Sequence, residues 1–240
     1  MDAALALDAT HIKVAVAQPY IFPAISYYQL VRCSDIFVLY DDANYITRGF
    51  INRNTYMVRG VPRRFTLPVP GASINRKIKD LQFSSDVKDV IEGIRHAYSR
   101  APYFKDVFPV ICRVLEYRDR DITAICREGI KEVFNYLGFP VIVIRSAELE
   151  YDRTLPADER LMEICRRMGG CHYINSQGGK KLYQKDNFSS RGIRLSFLEP
   201  RKFTYQQGAE SFVPQLSIVD ALMRCSRDEV RAMLDEYDLD

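Results

Sequence analysis

Short, mostly apolar runs recur along the chain, and each is followed by a polar or proline-containing segment. Runs of four to eight such residues, rich in Val and Ile, are typical of strands that are buried in a parallel sheet. The chain contains five of them, at residues 12–17, 36–40, 141–144, 171–174 and 193–198.

Between these runs, apolar residues recur at the three- and four-residue spacing of amphipathic helices. Residues that favour helix ends mark several boundaries: Ser85-Asp86 precedes one helical pattern, Gly138 ends another, and Ser226 with Glu229 has the spacing of a capping box. The predicted helices cover residues 25–33, 86–98, 102–117, 122–137 and 156–168, and two more begin near residues 217 and 226.

The alternation of strands and helices at both ends of the chain predicts an α/β fold, a Rossmann-like, mostly parallel sheet with helices on both faces. β-branched and aromatic runs around Arg59-Gly60 predict an antiparallel hairpin excursion at about residues 45–70. Residues from about 84 to 138 predict a helical middle layer over the sheet. We expect a flexible tail at residues 1–11 and a single α/β domain at residues 12–240.

Composition indicates a globular protein and excludes some classes of partner. The 240 residues are 47% hydrophobic and 27% charged, and the net charge is only +3. This charge gives no reason to expect a nucleic-acid partner. No apolar run approaches the roughly 20 residues that cross a bilayer, and the start of the chain lacks the cationic segment of a secretory signal. We therefore expect a cytoplasmic protein, and its arginines are compatible with a homo-oligomer without requiring one.

The cysteines do not indicate a metal centre. Cys165 and Cys171, with His172 next to them, are the group that most resembles a zinc site, but no second close pair accompanies them. Most of the six cysteines lie within apolar stripes, as buried thiols of cytosolic proteins do. We expect neither a bound metal nor disulfide bonds.

Two strands end in polar residues that suit a ligand site. Gln18 and Tyr20 follow the first strand in a segment that Pro19 and Pro23 stiffen. The second strand ends in Asp41-Asp42. Because ligands bind outside the carboxyl ends of the strands in open α/β sheets, these side chains are candidate site residues.

A third polar group follows the strand at residues 171–174. It contains Asn175 and Ser176, the glycine pair Gly178-Gly179, and Lys180. Paired glycines let backbone N–H groups approach an anion, and a nearby lysine can reach a phosphate. The alternative is an ordinary glycine turn beside solvated lysines.

Arg48, Asn52 and Arg53 form a basic and polar cluster within the predicted excursion. Two guanidinium groups suit bidentate binding of a phosphate or a carboxylate. The alternative is a structural ion pair between these arginines and Asp41 or Asp42, which would hold the hairpin on the sheet.

Candidates for acid–base chemistry are few. Asp41, Asp42 and Tyr20 follow strands at the expected ligand edge, and His172 lies in a strand beside the Asn175 segment. A strand histidine is more often a packing residue than a catalytic one, so this role for His172 is one of two alternatives.

Taken in order, these motifs resemble the WbqC-like protein family from about residue 14 to residue 234. The resemblance implies an α/β protein associated with bacterial O-antigen and surface-polysaccharide genes. It also implies transfer of a glycyl or related acyl group to the amine of a nucleotide-linked amino sugar, with the polar residues above as members of a shared site. The matching motifs are Gln18-Pro-Tyr-Ile-Phe-Pro23, Tyr40-Asp-Asp42, Arg48-Gly49, Ile51-Asn-Arg-Asn54, Ala101-Pro-Tyr-Phe104, Tyr173-Ile-Asn-Ser176, Gly178-Gly179 and Leu216-Ser-Ile-Val-Asp220.

The chemistry behind this expectation is amide formation. It requires an activated acyl donor, a deprotonated amine and stabilisation of an oxyanion. Asp41 or Asp42 is the candidate base, Gln18 or Asn175 the candidate oxyanion donor, and Arg48, Arg53 or Lys180 the candidate phosphate ligand. No cofactor is implied with certainty. Two alternatives remain open, an ATP-dependent amide-forming ligase and a non-catalytic module that binds a sugar nucleotide.

Overall fold

A computed structural model describes residues 12–240, so the predicted tail at residues 1–11 lies outside the described part of the chain. The central sheet has six strands in the order β5-β2-β1-β6-β7-β8, and every neighbouring pair is parallel except the last, β7-β8. The predicted excursion at about residues 45–70 contains a separate antiparallel hairpin, β3-β4. The strands are β1 Lys13–Ala17, β2 Ile36–Leu39, β3 Arg53–Val58, β4 Val61–Thr66, β5 Val143–Arg145, β6 His172–Ser176, β7 Arg194–Pro200 and β8 Tyr237–Leu239.

Helices cover both faces of the sheet, which confirms the predicted α/β class. One face packs against a large hydrophobic core that includes α1, α3, α4, α7 and α8, and the other packs against a smaller core with α5 and α6. The helices are α1 Ile25–Cys33, α2 Lys88–Tyr98, α3 Phe104–Leu115, α4 Ile122–Leu137, α5 Ala157–Arg167, α6 Lys185–Ser189, α7 Ile218–Arg224 and α8 Arg227–Asp235.

The order of the strands fixes where a ligand can enter. From β1 the chain passes through α1 to β2 on one side, whereas β6 and β7 lie on the other side of β1 and are joined by α6. The two connections leave on opposite faces of the sheet, so a crevice opens between the carboxyl ends of β1 and β6. This position is the topological switch point at which open α/β sheets bind ligands.

Local chemistry explains some of the helix ends. Asp121 caps α4 by accepting a hydrogen bond from the Ala124 N–H at 2.8 Å, and Gly138 ends the helix at φ 74°. Ser226 and Glu229 form the predicted capping box of α8.

Other local predictions need correction. Ser85 and Asp86 do not cap α2, which begins at Lys88 without a side-chain cap. The short elements α6 and β8 are absent from the sequence prediction. The hairpin turn at Arg59-Gly60 is confirmed, with both residues at positive φ (48° and 78°) as the tight reversal requires.

Within residues 12–240, no helix combines the length and the apolar character that a membrane crossing needs.

Candidate functional site

A cavity of about 470 Å³ lies at the carboxyl ends of β1 and β6, at the switch point of the sheet. Its lining consists of apolar, aromatic, hydroxyl and amide groups, and no charged side chain among the described residues contributes to it. The residues that define it are Ala17, Tyr20, Pro23, Ala24, Ser26, Tyr27, Leu30, Phe50, Asn54, Asn175, Ser176, Gln177, Gly178, Leu198, Pro200 and Gln215.

The turn that follows β1 is strained and firmly held. Phe22 is buried at φ 40°, a left-handed conformation that is costly for a large side chain. Its carbonyl oxygen accepts hydrogen bonds from Asn54 Nδ2 at 2.8 Å and from Ser217 Oγ at 2.7 Å. These two buried donors fix the turn, and the turn directs Tyr20 into the cavity wall.

Three aromatic rings form one side of the cavity. The ring centroid of Tyr20 lies 5.6 Å from that of Tyr27 and 6.0 Å from that of Phe50. Tyr27 donates to the Gln18 carbonyl at 2.8 Å, whereas Tyr20 reaches the Gln18 side chain only at 3.5 Å. Phe50 is 56% exposed, so one face of its ring is available to a ligand.

Burial raises the pKa of Tyr20. Its phenol is therefore neutral near pH 7 and serves as a hydrogen-bond donor rather than as a base.

The segment after β6 forms the opposite side of the cavity. Asn175 Oδ1 accepts a hydrogen bond from the Ser176 N–H at 2.7 Å, and a 3-10 helix, Gln177–Lys181, follows at once. A Cβ atom on Gly179 would lie 2.8 Å from the Asn175 side chain, so only glycine lets this amide keep its place. The glycine is thus needed to orient Asn175.

Lys180 does not point an unpaired charge at the cavity. Its ammonium donates to Asp240 and Glu199, and these hydrogen bonds raise the pKa of Lys180. The lysine therefore ties the segment after β6 to β7 and to the residue that follows β8.

The paired aspartates lie beside the cavity but are not among its lining residues. Asp41 is fully buried, and its Oδ2 accepts a hydrogen bond from Arg145 Nε at 2.7 Å. Its Oδ1 accepts from the Ala147 N–H at 2.9 Å and lies 3.1 Å from Ser146 Oγ, which in turn accepts from the Asp41 N–H at 3.1 Å. Arg145 also contacts Asp121 at 3.2 Å, so the network joins β2, β5 and the start of α4.

Asp42 has a second set of partners. Its carboxylate accepts hydrogen bonds from Ser146 Oγ at 2.6 Å, Tyr151 Oη at 2.6 Å and Arg153 Nε at 2.8 Å. Both aspartates thus form structural ion pairs with arginines, the alternative to a ligand site that the sequence left open. The arginines are Arg145 and Arg153, however, and not Arg48 or Arg53.

The basic cluster of the excursion has a structural role in this arrangement. Arg53 Nε donates to the Gly49 carbonyl at 3.0 Å, and Asn52 Nδ2 donates to the Leu67 carbonyl at 2.8 Å. Arg48 is exposed at φ 62°. These residues shape the turn that presents Phe50 to the cavity.

The predicted location of His172 beside the site is wrong. His172 is the first residue of β6 and is paired in register with Lys13 and Arg194, which also lie at or near the starts of their strands. The cavity lies toward the other end of the strand, where its lining begins at Asn175, about 10 Å from His172 at the rise of a β-strand. Burial, with some contribution from Arg194, lowers the pKa of His172 to about 4.

Sequence reasoning missed Ser26 and Gln215, which separate the cavity from a second one. Gln215 is at φ 59°, and its Oε1 accepts a hydrogen bond from Ser26 Oγ at 3.3 Å. The neighbouring cavity of about 320 Å³ shares these two residues, together with Ala24 and Pro200. Most of its remaining wall comes from the irregular segment 201–216, whose sequence has no periodicity to predict its course, and residues of α1 and α7 complete it.

The fold and the cavity define a Rossmann-like α/β protein with an uncharged, mostly apolar cleft at its switch point, in which a few amide and hydroxyl groups are exposed. The profile of the WbqC-like protein family matches residues 18–232, and the chain belongs to this family. It is similar to the uncharacterized protein Rv1507c of Mycobacterium tuberculosis, with 24% identity over 215 residues, which cover 88% of this chain and 92% of that protein. No solved structure matches the chain.

Proposed function

We propose that this protein transfers an acyl or aminoacyl group, glycyl among them, to the amine of a nucleotide-linked amino sugar. The reaction would take place in the cytoplasm and serve the synthesis of a bacterial surface polysaccharide. Membership of the WbqC-like family is compatible with this setting. The observation that carries the proposal is the chemistry of the cavity at the switch point.

The cavity suits the sugar. Sugars bind through apolar ring faces that stack on aromatic side chains and through hydroxyl groups that bond to amides. Tyr20 and Phe50 supply the aromatic surface, and Asn175 and Gln215 supply amides. A volume of about 470 Å³ lies within the range of small-molecule sites.

The start of α1 suits the negative charge of the substrate. The first N–H groups of a helix lack acceptors within the helix, and the positive end of the helix dipole lies there. Ala24 at the N-cap position gives α1 no side-chain cap, and the first turn contains no acidic residue. Ala24 and Ser26 line both cavities, so the start of α1 lies at the junction between them.

The roles that follow are binding and oxyanion stabilisation. Tyr20, a neutral phenol whose pKa burial raises further, donates to the oxyanion of the tetrahedral intermediate, and Asn175 orients the amino sugar. The carboxylates of Asp41 and Asp42 form ion pairs with arginines, so we give these residues the structural role of positioning β2 and β5. No lining residue in the described part of the chain carries a carboxylate or an imidazole. We therefore assign removal of the amine proton to no side chain of the cavity.

The same lack of a base in the lining favours one alternative, a module that binds a sugar nucleotide without chemistry. Use of ATP would instead identify an amide-forming ligase. The test is incubation of the purified protein with dTDP- and UDP-linked amino sugars and either an acyl-CoA donor or glycine with ATP. Mass spectrometry of the sugar product and an assay for ATP hydrolysis then distinguish the transferase, the ligase and the binding module.

Variants connect the activity to the cavity. Tyr20→Phe is expected to lower kcat by about 10²-fold, the effect of losing one oxyanion donor, with a small effect on KM. Tyr117→Phe, an exposed tyrosine on the helical layer, is the matched control and should behave as the wild type. Binding of the sugar nucleotide with no product under any donor condition would reduce the proposal to the binding module. The absence of both binding and product would end it.

A further inference from the structure

A second cavity, of about 320 Å³, adjoins the cavity to which we assign the sugar. Three half-buried aromatic side chains, Phe203, Tyr205 and Phe212, contribute to its wall. The Phe212 ring lies edge-on to the other two, with centroid distances of 5.5 Å to Tyr205 and 6.5 Å to Phe203. An aromatic wall with a few polar groups is typical of small-molecule sites, and the volume lies at the lower end of their range.

A buried glutamine holds this wall in shape. The Gln207 amide forms two hydrogen bonds with the backbone of Val213: its Nε2 donates to the carbonyl at 2.9 Å, and its Oε1 accepts from the N–H at 2.7 Å. Tyr205 lies two residues before Gln207, and Phe212 lies next to Val213. The amide therefore keeps the two rings near each other, and the wall is preorganised for a ligand.

The charge of the second cavity favours an anion. Its charged lining residues are Arg201 and Lys202, and no carboxylate of residues 12–240 lines it. Arg201 forms ion pairs with Asp238 and Glu236, whereas Lys202 is exposed and forms no ion pair within the same residues. Lys202 is therefore the cation that can meet a phosphate group from solution.

The carboxylates of this region lie outside the wall. Asp220, which interacts with Tyr205, is fully buried and forms an ion pair with Arg224 at 3.1 Å. An adjoining depression, which Lys202 also borders, contains three others: Glu210, Glu229 and Glu236. The wall of the second cavity itself thus contributes cations and no anion.

The two cavities meet at the start of α1. They share Ala24, Ser26, Pro200 and Gln215. Ser26 Oγ lies 3.3 Å from Gln215 Oε1, and the glutamine is exposed, so a ligand can replace this contact. The first turn of α1 has neither a side-chain cap nor an acidic residue, which suits a negative charge at the junction. A ligand longer than a sugar ring can therefore extend from one cavity into the other.

We propose that the second cavity binds the base of a nucleoside diphosphate, whose diphosphate crosses the start of α1 toward the sugar. The inference rests on the proposed function, which puts the sugar in the cavity between β1 and β6. A base is flat and packs on aromatic side chains, and its edge offers donors and acceptors to the Gln215 amide and the Thr204 hydroxyl. An acyl chain would leave these polar groups without partners, and a glycyl group is too small and too polar to fill an aromatic cavity.

Titration calorimetry with UDP and with dTDP tests the base site without a sugar or an acyl donor. The wild type should bind both diphosphates about tenfold or more tightly than inorganic pyrophosphate, because a stacked base adds to the affinity. Phe212→Leu removes the ring but keeps an apolar side chain, and it should weaken UDP binding about fivefold or more. The matched control is Phe104→Leu, at a half-buried ring of α3 that lines neither cavity, and it should bind UDP as the wild type does.

Three results would overturn the proposal: pyrophosphate bound as tightly as UDP, equal UDP affinity in the wild type and the Phe212 variant, or no UDP binding to the wild type. Saturation-transfer NMR on the wild type gives a readout that does not depend on the folding of a variant. The base protons of UDP should receive more saturation than the ribose protons. The reverse order would mean that the base lies outside the cavity and would also overturn the proposal.

Lys202→Gln tests the course of the diphosphate. Loss of this exposed charge should weaken UDP binding at low salt and reduce its dependence on salt concentration. Lys131→Gln, at an exposed lysine of α4, is the control and should change neither quantity. UDP affinity and salt dependence that stay at the wild-type values in Lys202→Gln would overturn the proposed course.

Competition identifies the source of the base. Displacement of UDP by a UDP-linked amino sugar, with ADP and coenzyme A ineffective, assigns the second cavity to the acceptor substrate, as expected. Equally effective displacement by ADP or coenzyme A would assign it to the donor and overturn the link to the sugar. Phe212-dependent UDP binding without any transfer product would count against the proposed function alone, whereas transfer that Phe212→Leu leaves unchanged would count against this inference alone.

Discussion

Replacement of Asp41 by asparagine tests whether the buried ion pair between β2 and β5 supports the edge of the sheet beside the cavity. Asp41 is fully buried and its carboxylate accepts hydrogen bonds from Arg145 Nε and from the Ala147 N–H. The introduced amide keeps one acceptor oxygen and turns an N–H group toward one of these donors. In either orientation, the guanidinium of Arg145 loses the negative charge that it contacts at 2.7 Å.

The expected cost follows from the geometry. Breaking a buried ion pair by removing one partner costs about 3–5 kcal/mol. We expect a value near the lower bound, about 3 kcal/mol, because Arg145 keeps Asp121 at 3.2 Å and its side chain is 17% exposed. Because this is a large part of the stability of an ordinary domain, the variant should unfold at clearly lower denaturant.

Urea unfolding followed by circular dichroism measures the loss, provided that the m-value stays constant. Asp228→Asn, at a side chain that is 93% exposed, is the control and should unfold as the wild type does. The double variant with Arg145→Met should lose less than the sum of the single losses, by at least about 1 kcal/mol of coupling. Additive losses, or a loss below about 1 kcal/mol for Asp41→Asn, would refute this account of the ion pair.

The other predictions concern the cavity and the opposite edge of the sheet. Gly179→Ala should weaken sugar-nucleotide binding by displacing Asn175, because the added Cβ would lie 2.8 Å from the Asn175 side chain; calorimetry measures the affinity, and a wild-type value would contradict the packing argument. Asn54→Ala removes a buried donor to the strained turn and should cost about 1–2 kcal/mol in urea unfolding, so an unchanged midpoint would mean that the turn needs no such support. Burial lowers the pKa of His172 from 6.5 to about 4, so between these pH values the unfolded chain binds more protons than the folded one, and stability falls as the pH drops. His172→Gln should therefore flatten the dependence of melting temperature on pH between about pH 7 and 4.5. A variant curve parallel to that of the wild type would exclude the histidine as the source of this dependence.

The sequence predicts the fold well where apolar pattern and local chemistry agree. The five apolar runs became the five parallel strands, and the capping residues of α4 and α8 act as expected. The short elements α6 and β8 were missed because five or three residues show no periodicity. Ser85 and Asp86 have the residue types of a helix cap, but the chain enters α2 at Lys88 without using them.

The site was predicted only in part, because sequence spacing does not reveal strand order. The turn after β1 and the segment after β6 meet at one cavity, since these strands are neighbours. The aspartates face Arg145 and Arg153 because β5 pairs with β2, a long-range choice that the residues near Asp41 do not encode. The position of His172 was available from the sequence, since the first residue of a parallel strand lies at the edge opposite the ligand site.

A crystal structure of the protein with a dTDP-linked amino sugar would test the central claim most directly. The account predicts that the sugar ring lies between Phe50 and Asn175, with its amine directed toward Tyr20. A nucleotide sugar bound elsewhere on the chain, with the cavity between β1 and β6 left to solvent at a saturating ligand concentration, would contradict it.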